Sequence, residues 1–316
     1  MMCIDFLREE PLSRHTSFRV GGPAEIFVKP QTTDELIEIW NSTGWNLLPV
    51  EIIGDGTNVL VSDAGLRGIV ICTNKMNGID LLEGGRIRAR AGARLSKVAE
   101  VACRAGLAGF EFASGIPGTV GGAVYMNAGA YDHDIGEFCE SVTMLDVGTA
   151  CGRPGLAQCY PAGGQRPPLQ NPHAGIIVKP GTEMEFGYRK SCVQQGNMIV
   201  LEAIFQLQPG SPAEIRAKMN ELNSRRRASQ PLDMPSAGST FKRPPGHFAG
   251  KLIEDSGLKG FTIGGAQVSR KHAGFIVNTG SATAQDIYDL IQAVREKVHE
   301  NFNIWLEPEI KLLGFS

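Results

Sequence analysis

Apolar and polar positions change places over short runs, and the period of the change predicts the elements. Residues 24–29 alternate as a half-buried strand does. Thr32 or Thr33 then starts a helical pattern through Trp40, with Asp34 and Glu35 in its first turn, where carboxylates suit the helix dipole. Apolar runs at 48–53 and 59–61 predict two strands and complete a small β-α-β-β unit. Strands are also predicted over 69–72, 79–82, 87–91, 142–147 and 199–207. Over 95–105 the period becomes helical: Leu95, Val98, Ala99 and Ala102 share one face, and Gly106 is the stop. Further helices are predicted over 212–228, with Ile215, Met219 and Leu222 inward, and over 248–256. The longest stripe, Ile287, Leu290, Ile291, Val294 and Val298, predicts a helix over 283–301. Strands over 263–268, 274–278 and 306–313 complete the reading.

A chain of 316 residues exceeds one typical core. That length suggests two or three domains, and the helix at 212–228 looks like a connector, which places a boundary near 210. Residues 148–175 are rich in Gly, Pro, Gln and Ala and carry no hydrophobic period, so a surface insertion outside the active site is expected there.

Composition narrows the function classes. Charged residues make up 20% and hydrophobic ones 42%, values of an ordinary globular protein. The net charge of −2 gives no general basic field, which argues against a nucleic-acid partner. Arg225, Arg226 and Arg227 form the one basic run, at a helix end where cations suit the dipole. No stretch of 18 apolar residues exists to span a membrane, and residues 1–11 lack the apolar region of a signal peptide. Seven Cys, an odd number without C-x-x-C spacing, fit reduced thiols of a cytoplasmic protein. The six His make no metal-spaced pair, so no metal is expected. No obligate protein partner is evident.

Glycine is in excess, 39 residues, and its placement carries the chemistry. Residues 115–130 hold five Gly and almost no charge. Small residues let backbone N–H groups approach an anion, and Pro117 fits the first turn of a helix whose positive end would face a phosphate. The spacing is neither that of a dinucleotide-binding fold nor of a P-loop, and a plain tight turn is the alternative. A second Gly-rich turn, Gly54, Asp55, Gly56, Thr57 and Asn58, lies between two apolar runs and reads first as a hairpin. A third piece, 16–24, sets Arg19 beside Gly21 and Gly22. Three such pieces before residue 130 suggest a long, doubly phosphorylated ligand. In the second half, Arg189 could clamp a carboxylate or form a surface ion pair. Ser239 sits in a stretch of small hydroxylated residues that is either a ligand contact or a local turn. Glu309 shares a strand face with Glu307 and Lys311, a face that is either wet or lines a cleft; in a cleft its pKa would rise, as suits a proton donor.

Together these stretches carry a resemblance. T-S-F-R-V-G-G-P-A (16–24), I-I-G-D-G-T-N-V-L-V (52–61), S-G-I-P-G-T-V-G-G-A-V-Y-M-N-A-G-A-Y (114–131) and G-Y-R-K-S (187–191) come first. Q-P-L-D-M-P-S-A-G-S-T-F-K-R-P (230–244), A-G-K-L-I-E-D-S-G-L-K-G (249–260), G-G-A-Q-V-S-R-K-H-A-G-F-I-V-N (264–278) and L-E-P-E-I-K-L-L-G (306–314) follow. In this order they resemble the UDP-N-acetylenolpyruvoylglucosamine reductase family, in its shorter type without an extra Tyr-bearing loop. The resemblance implies an α+β fold: an FAD-binding region of the PCMH/vanillyl-alcohol-oxidase type made of two α+β subdomains (1–68 and 69–210), then a C-terminal α/β substrate domain (211–316). It implies non-covalent FAD, NADPH as hydride donor and UDP-N-acetylglucosamine enolpyruvate as substrate.

Carried over by position, the catalytic residues are Arg189, Ser239 and Glu309. The implied FAD contacts are Arg19, Gly54, Asp55, Gly56, Thr57, Asn58, Ser114, Ile116, Pro117, Gly118, Thr119, Gly121, Gly122, Ala123, Asn127 and Gly129. Tyr188, Lys259 and His272 are implied substrate contacts. In the implied reaction, hydride reaches the terminal alkene carbon, charge spreads into the carboxylate beside Arg189 and a protonated Glu309, and Ser239 protonates the adjacent carbon. Two departures stand out: the 148–175 stretch is longer than usual, and Asp55 holds a turn position often taken by Gly. The rival readings are an oxidase with covalent flavin and a catalytically silent nucleotide-sugar binder. The first has no His or Cys within 114–131 to carry the link, and the second does not explain Arg189, Ser239 and Glu309 together.

Overall fold

The structure, a computed structural model, describes residues 6–41, 48–147, 175–196 and 198–315. The expected insertion lies outside them, apart from Gly175, which opens the strand Gly175–Pro180.

The chain forms two compact units, each assembled from separate segments. The first takes Met1–Arg8, Ile26–Gly54 and Arg67–Met219; the second takes Glu9–Glu25, Asp55–Leu66 and Asn220–Ser316. The division therefore differs from three consecutive segments. Strand pairing gives the reason. Val59–Val61 pairs in parallel with Lys311–Leu313, Leu60 opposite Leu312, which groups the 55–66 segment with the C-terminal one. The hairpin expected over 52–61 is not formed. A hairpin joins antiparallel neighbours, whereas Val50–Ile53 runs parallel to Leu66–Cys72, with Ile52 opposite Ile71.

In the first unit a five-stranded sheet runs Gly175–Pro180, Cys139–Asp146, Met198–Gln206, Arg86–Arg90, Ile79–Leu82, antiparallel throughout. The helix Leu95–Arg104 buries the predicted face, Leu95, Val98, Ala99 and Ala102. A core of Ile26, Val28, Leu36, Ile39, Ile69, Ile71, Met76, Leu145, Ile199 and Leu201 ties sheet strands to the helix Thr33–Asn41. Each such Ile or Leu contributes about 1.5–3 kcal/mol by leaving water.

The second unit is organised by the helix Ala284–Phe302. Its stripe Ile287, Leu290, Ile291, Val294 and Val298 is wholly buried. Thr283 caps it, accepting from the Asp286 N–H while the Asp286 carboxylate accepts from the Thr283 N–H. The helix packs on a three-stranded antiparallel sheet, Thr262–Ile263, Ala266–Val268 and Ile276–Asn278. The strand expected over 263–268 is broken at Gly264 and Gly265, where the Gly265 N–H donates to the Asp286 carboxylate instead of a ladder (3.1 Å). The strand expected over 306–313 shortens to Lys311–Leu313, preceded by an isolated bridge from Phe241 to Pro308, which has no N–H to donate. Among the described residues Cys72, Cys103, Cys139 and Cys192 are buried free thiols, and no group of His, Cys, Asp or Glu is arranged to hold a metal.

Candidate active site

The Gly-rich 114–131 stretch folds as a turn of 3-10 helix, Glu111–Gly115, a short connection and a short helix, Val120–Met126. Pro117 is exposed and stands before the N-cap Thr119, not in the first turn, which corrects the sequence reading. The dipole argument changes too. The first helical amides, Val120 and Gly121, donate to the carbonyls of Ala93 and Ala91, each at 2.8 Å, so they do not point at a phosphate. Gly121 is small for packing: a Cβ there would meet Ala91 at 3.1 Å. Within the same run, the Ser114 hydroxyl donates to Glu111 and the Ile116 amide to Ala113. Ala123 points into the core.

What the stretch does offer is Thr119. It is 2% exposed, and its Oγ1 is a buried hydroxyl without a hydrogen-bond partner. Gly54 lies against it, so that a Cβ on Gly54 would collide with Thr119 Oγ1; the nearest approach from Gly122 is 3.8 Å. Gly54, Thr119 and Gly122 are thus brought together around one uncommitted polar atom.

Asn127 ends the helix in the left-handed region (φ +42°) and is 2% exposed. Its carboxamide is committed: Nδ2 donates to the Gly187 carbonyl (3.0 Å) and Oδ1 accepts from the Gly136 N–H (2.8 Å). This side chain therefore braces the helix end against the Gly187 and Gly136 backbone. Gly187–Lys190 is a tight turn closed by two 3.1 Å backbone bonds. It carries Tyr188, exposed, and Arg189, half-buried, whose guanidinium lies 5.1 Å from the Tyr188 ring centroid and donates to the Gly129 carbonyl at 3.2 Å.

In the second unit the Arg19 segment meets the second Gly-rich turn. The Ser17 N–H donates to the Gly56 carbonyl (3.0 Å), and Gly56 (φ +62°) packs so closely on the His15 carbonyl that a Cβ would collide with it. His15, which lies near the implied flavin-binding segments, is held by Glu10 at 2.9 Å. The Glu10 partner is revealed only by the contact, because Glu10 and His15 carry no motif. Arg19 is exposed, in the left-handed region at φ +59°. Asp55, Thr57 and Asn58 complete the turn, and Asn58 Nδ2 donates to the Glu309 carbonyl (3.2 Å).

Ser239 and Glu309 are brought together by their neighbour Thr240. Glu309 N–H donates to the Thr240 carbonyl (2.8 Å), and Lys242 N–H donates to Glu307 (2.8 Å). Thr240 itself is fully buried, its N–H on Gly274 and its hydroxyl accepting from Ile276. The Ser239 hydroxyl is half-buried and spends its proton on a long bond, 3.2 Å, to the Phe241 carbonyl. Of the implied substrate contacts, Lys259 pairs with Glu254 at 2.8 Å. His272 accepts from the Gly274 N–H at Nδ1 (3.1 Å), leaving its proton on Nε2. Burial holds its pKa below the ordinary imidazole value, so the ring is neutral at pH 7.

Comparison with known proteins decides the family. Residues 230–313 match the UDP-N-acetylenolpyruvoylglucosamine reductase C-terminal domain, and residues 24–154 match an FAD binding domain. The chain is 47% identical over 305 residues to the UDP-N-acetylenolpyruvoylglucosamine reductase of Caldanaerobacter subterraneus subsp. tengcongensis, covering 96% of this chain and 92% of the relative. It is 43% identical over 310 residues to that of Clostridium perfringens, covering 98% and 93%. The chain belongs to the UDP-N-acetylenolpyruvoylglucosamine reductase family. The crystal structure of the Thermus caldophilus enzyme superposes with a TM-score of 0.77 at 32% identity, covering 99% of this chain and all of that one. The α+β, FAD-binding architecture implied by the sequence is the architecture of this family.

A reductase of this family uses FAD, and the residues present fit it. Thr119 Oγ1 is a buried hydroxyl without a partner, the kind of atom a polar ligand group would satisfy, and glycine at 54 keeps a Cβ from colliding with it.

Proposed function

We propose that this chain reduces the enolpyruvyl group of UDP-N-acetylglucosamine enolpyruvate to give UDP-N-acetylmuramate, with Arg189, Ser239 and Glu309 as the catalytic residues. The reaction is NADPH-dependent and FAD-mediated and belongs to peptidoglycan precursor synthesis. In the first unit Gly54, Thr119 and Gly122 would hold the cofactor, and in the second Gly56, Thr57 and Asn58. FAD, when bound there, would supply the hydride chemistry that links NADPH to the alkene. The chain's own residues manage the charge that this transfer creates.

The observation that supports the assignment of roles is the Glu309–Thr240 backbone bond, which ties the Glu309 backbone to the residue that follows Ser239. Ser239 moves its proton from Oγ to the substrate carbon that bears the ether oxygen. The long bond to Phe241 orients the hydroxyl and costs little to exchange. Serine is a weak acid, so the step needs neighbouring groups that stabilise charge on the substrate carboxylate. Arg189 supplies the cation, and its fork suits two carboxylate oxygens. Glu309, in its acid form, supplies a hydrogen bond to the same group. His272, neutral, presents an Nε2–H donor for a polar part of the substrate.

The free buried thiols support a cytoplasmic location. Among the described residues no helix is long and apolar enough to cross a membrane. The test is direct: the purified protein should be yellow, be bleached by NADPH under anaerobic conditions, and regain its colour on addition of the enolpyruvyl nucleotide sugar. A protein bleached by NADPH whose colour is restored only by oxygen would refute the reading.

A further inference from the structure

Arg189 has a backbone conformation that an arginine does not choose by itself. Its φ of +54° lies in the left-handed region, which is sterically unfavourable for a residue with a Cβ. Such residues persist where their surroundings over-determine them. The two bonds that close the turn join Gly187 to Lys190 and leave the Arg189 carbonyl to other partners.

Those surroundings are two carboxamides. Gln194 Nε2 donates to the Arg189 carbonyl at 3.0 Å and to the Tyr125 carbonyl at 2.9 Å. Asn127 Nδ2 donates to the Gly187 carbonyl at 3.0 Å, while its Oδ1 is anchored by the Gly136 N–H. The Ser191 hydroxyl also donates to Tyr125, at 2.8 Å. Tyr125 belongs to the last turn of the helix Val120–Met126, whose final carbonyls have no partner within the helix. The segment that carries Arg189 therefore caps the C-terminal end of the Thr119 helix, and Gln194 is the side chain that touches both.

We propose that Gln194 and Asn127 are positioning residues for Arg189: they hold the 187–190 turn in its left-handed form and so fix where the guanidinium stands. This rests on the reading of Arg189 as a catalytic residue. Gln194 does not touch the substrate; it acts through the Arg189 backbone. Its contribution depends on its N–H donors and not on its size. Glutamate has the same shape and no N–H, and it sets a negative charge on two carbonyls at a helix C-terminus. Lysine keeps donors for both carbonyls and suits that end of the helix.

The experiment uses the FAD-loaded enzyme and follows the two half-reactions by flavin absorbance. Substrate affinity is measured separately by calorimetry on oxidised enzyme. Gln194→Glu should leave reduction by NADPH unchanged, weaken substrate binding, and slow reoxidation by the enolpyruvyl substrate by ~10-fold to ~100-fold, the scale for a small misplacement of a catalytic group. Gln194→Lys should stay within about threefold of the parent, because its donors are retained. In an Arg189→Ala background, Gln194→Glu should add nothing, since the residue it positions is gone. Parent-like reoxidation in Gln194→Glu, or an undiminished effect in the Arg189→Ala background, would overturn the proposal and leave Arg189 catalytic. Parent-like reoxidation in Arg189→Ala alone would overturn the catalytic reading itself, and the proposal with it.

Discussion

Asn58 Nδ2 donates to the carbonyl of Glu309 at 3.2 Å, and the Asn58 carbonyl in turn accepts from the Lys311 N–H at 2.9 Å. A residue of the second Gly-rich turn thus clamps the backbone at Glu309 and at the second residue after it. Asn58→Leu removes the Nδ2 donor to the Glu309 carbonyl. We expect a loss of about 1–2 kcal/mol in stability, the scale of one part-buried hydrogen bond, together with slower reoxidation by substrate. Chemical denaturation and the oxidative half-reaction measure the two effects. A variant with parent stability and parent reoxidation would show that the clamp does not matter.

The Thr119 hydroxyl gives a sharper test, because two measurements should move in opposite directions. Without ligand it is a buried polar atom with no partner, a state that costs roughly 1–3 kcal/mol. Thr119→Val removes the hydroxyl and keeps the shape. The apoprotein should then be as stable as the parent or more so, while FAD binds more weakly. Gly54→Ala should also weaken FAD binding, because its Cβ collides with Thr119 Oγ1. Calorimetric titration of FAD into apoprotein, beside thermal unfolding, checks both. A destabilised Thr119→Val apoprotein with parent FAD affinity would assign the hydroxyl to structure alone.

Much of this framework is legible in the sequence, wherever local periodicity decides. The Leu95–Arg104 helix and the Ala284–Phe302 helix declare themselves through stripes that are buried as predicted. The parallel pairing of Val59–Val61 with Lys311–Leu313 does not, because no local signal names a partner some 250 residues away. The apolar runs around 54–58 imitate a hairpin for the same reason. Pro117 misleads because Pro at the first helical position is a preference, and here the Thr119 N-cap follows it. Asn127 and Gln194 stay hidden because their meaning lies in which distant carbonyl each carboxamide reaches.

Acid should act on an ion pair that includes none of the proposed site residues. Arg216, at 2.7 Å, and then Arg104 hold the Glu100 carboxyl down at about 2. Its folded pKa is below the unfolded one, so its contribution is present above about pH 4.3 and disappears as pH falls towards 2. Both side chains are partly exposed, so the effect is modest and weakens with salt. Denaturation midpoints should fall less steeply over that window for Glu100→Gln than for the parent. Identical slopes would contradict the assignment.

The central claim is that Ser239 delivers the proton to the substrate carbon, and rapid mixing of Ser239→Ala tests it most directly. The variant should bind FAD and be reduced by NADPH at the parent rate. Its reduced flavin should then be reoxidised by the enolpyruvyl substrate ~10²-fold more slowly or worse, the scale for losing a positioned proton donor. Reoxidation at the parent rate in Ser239→Ala would remove the serine from the reaction and contradict the account.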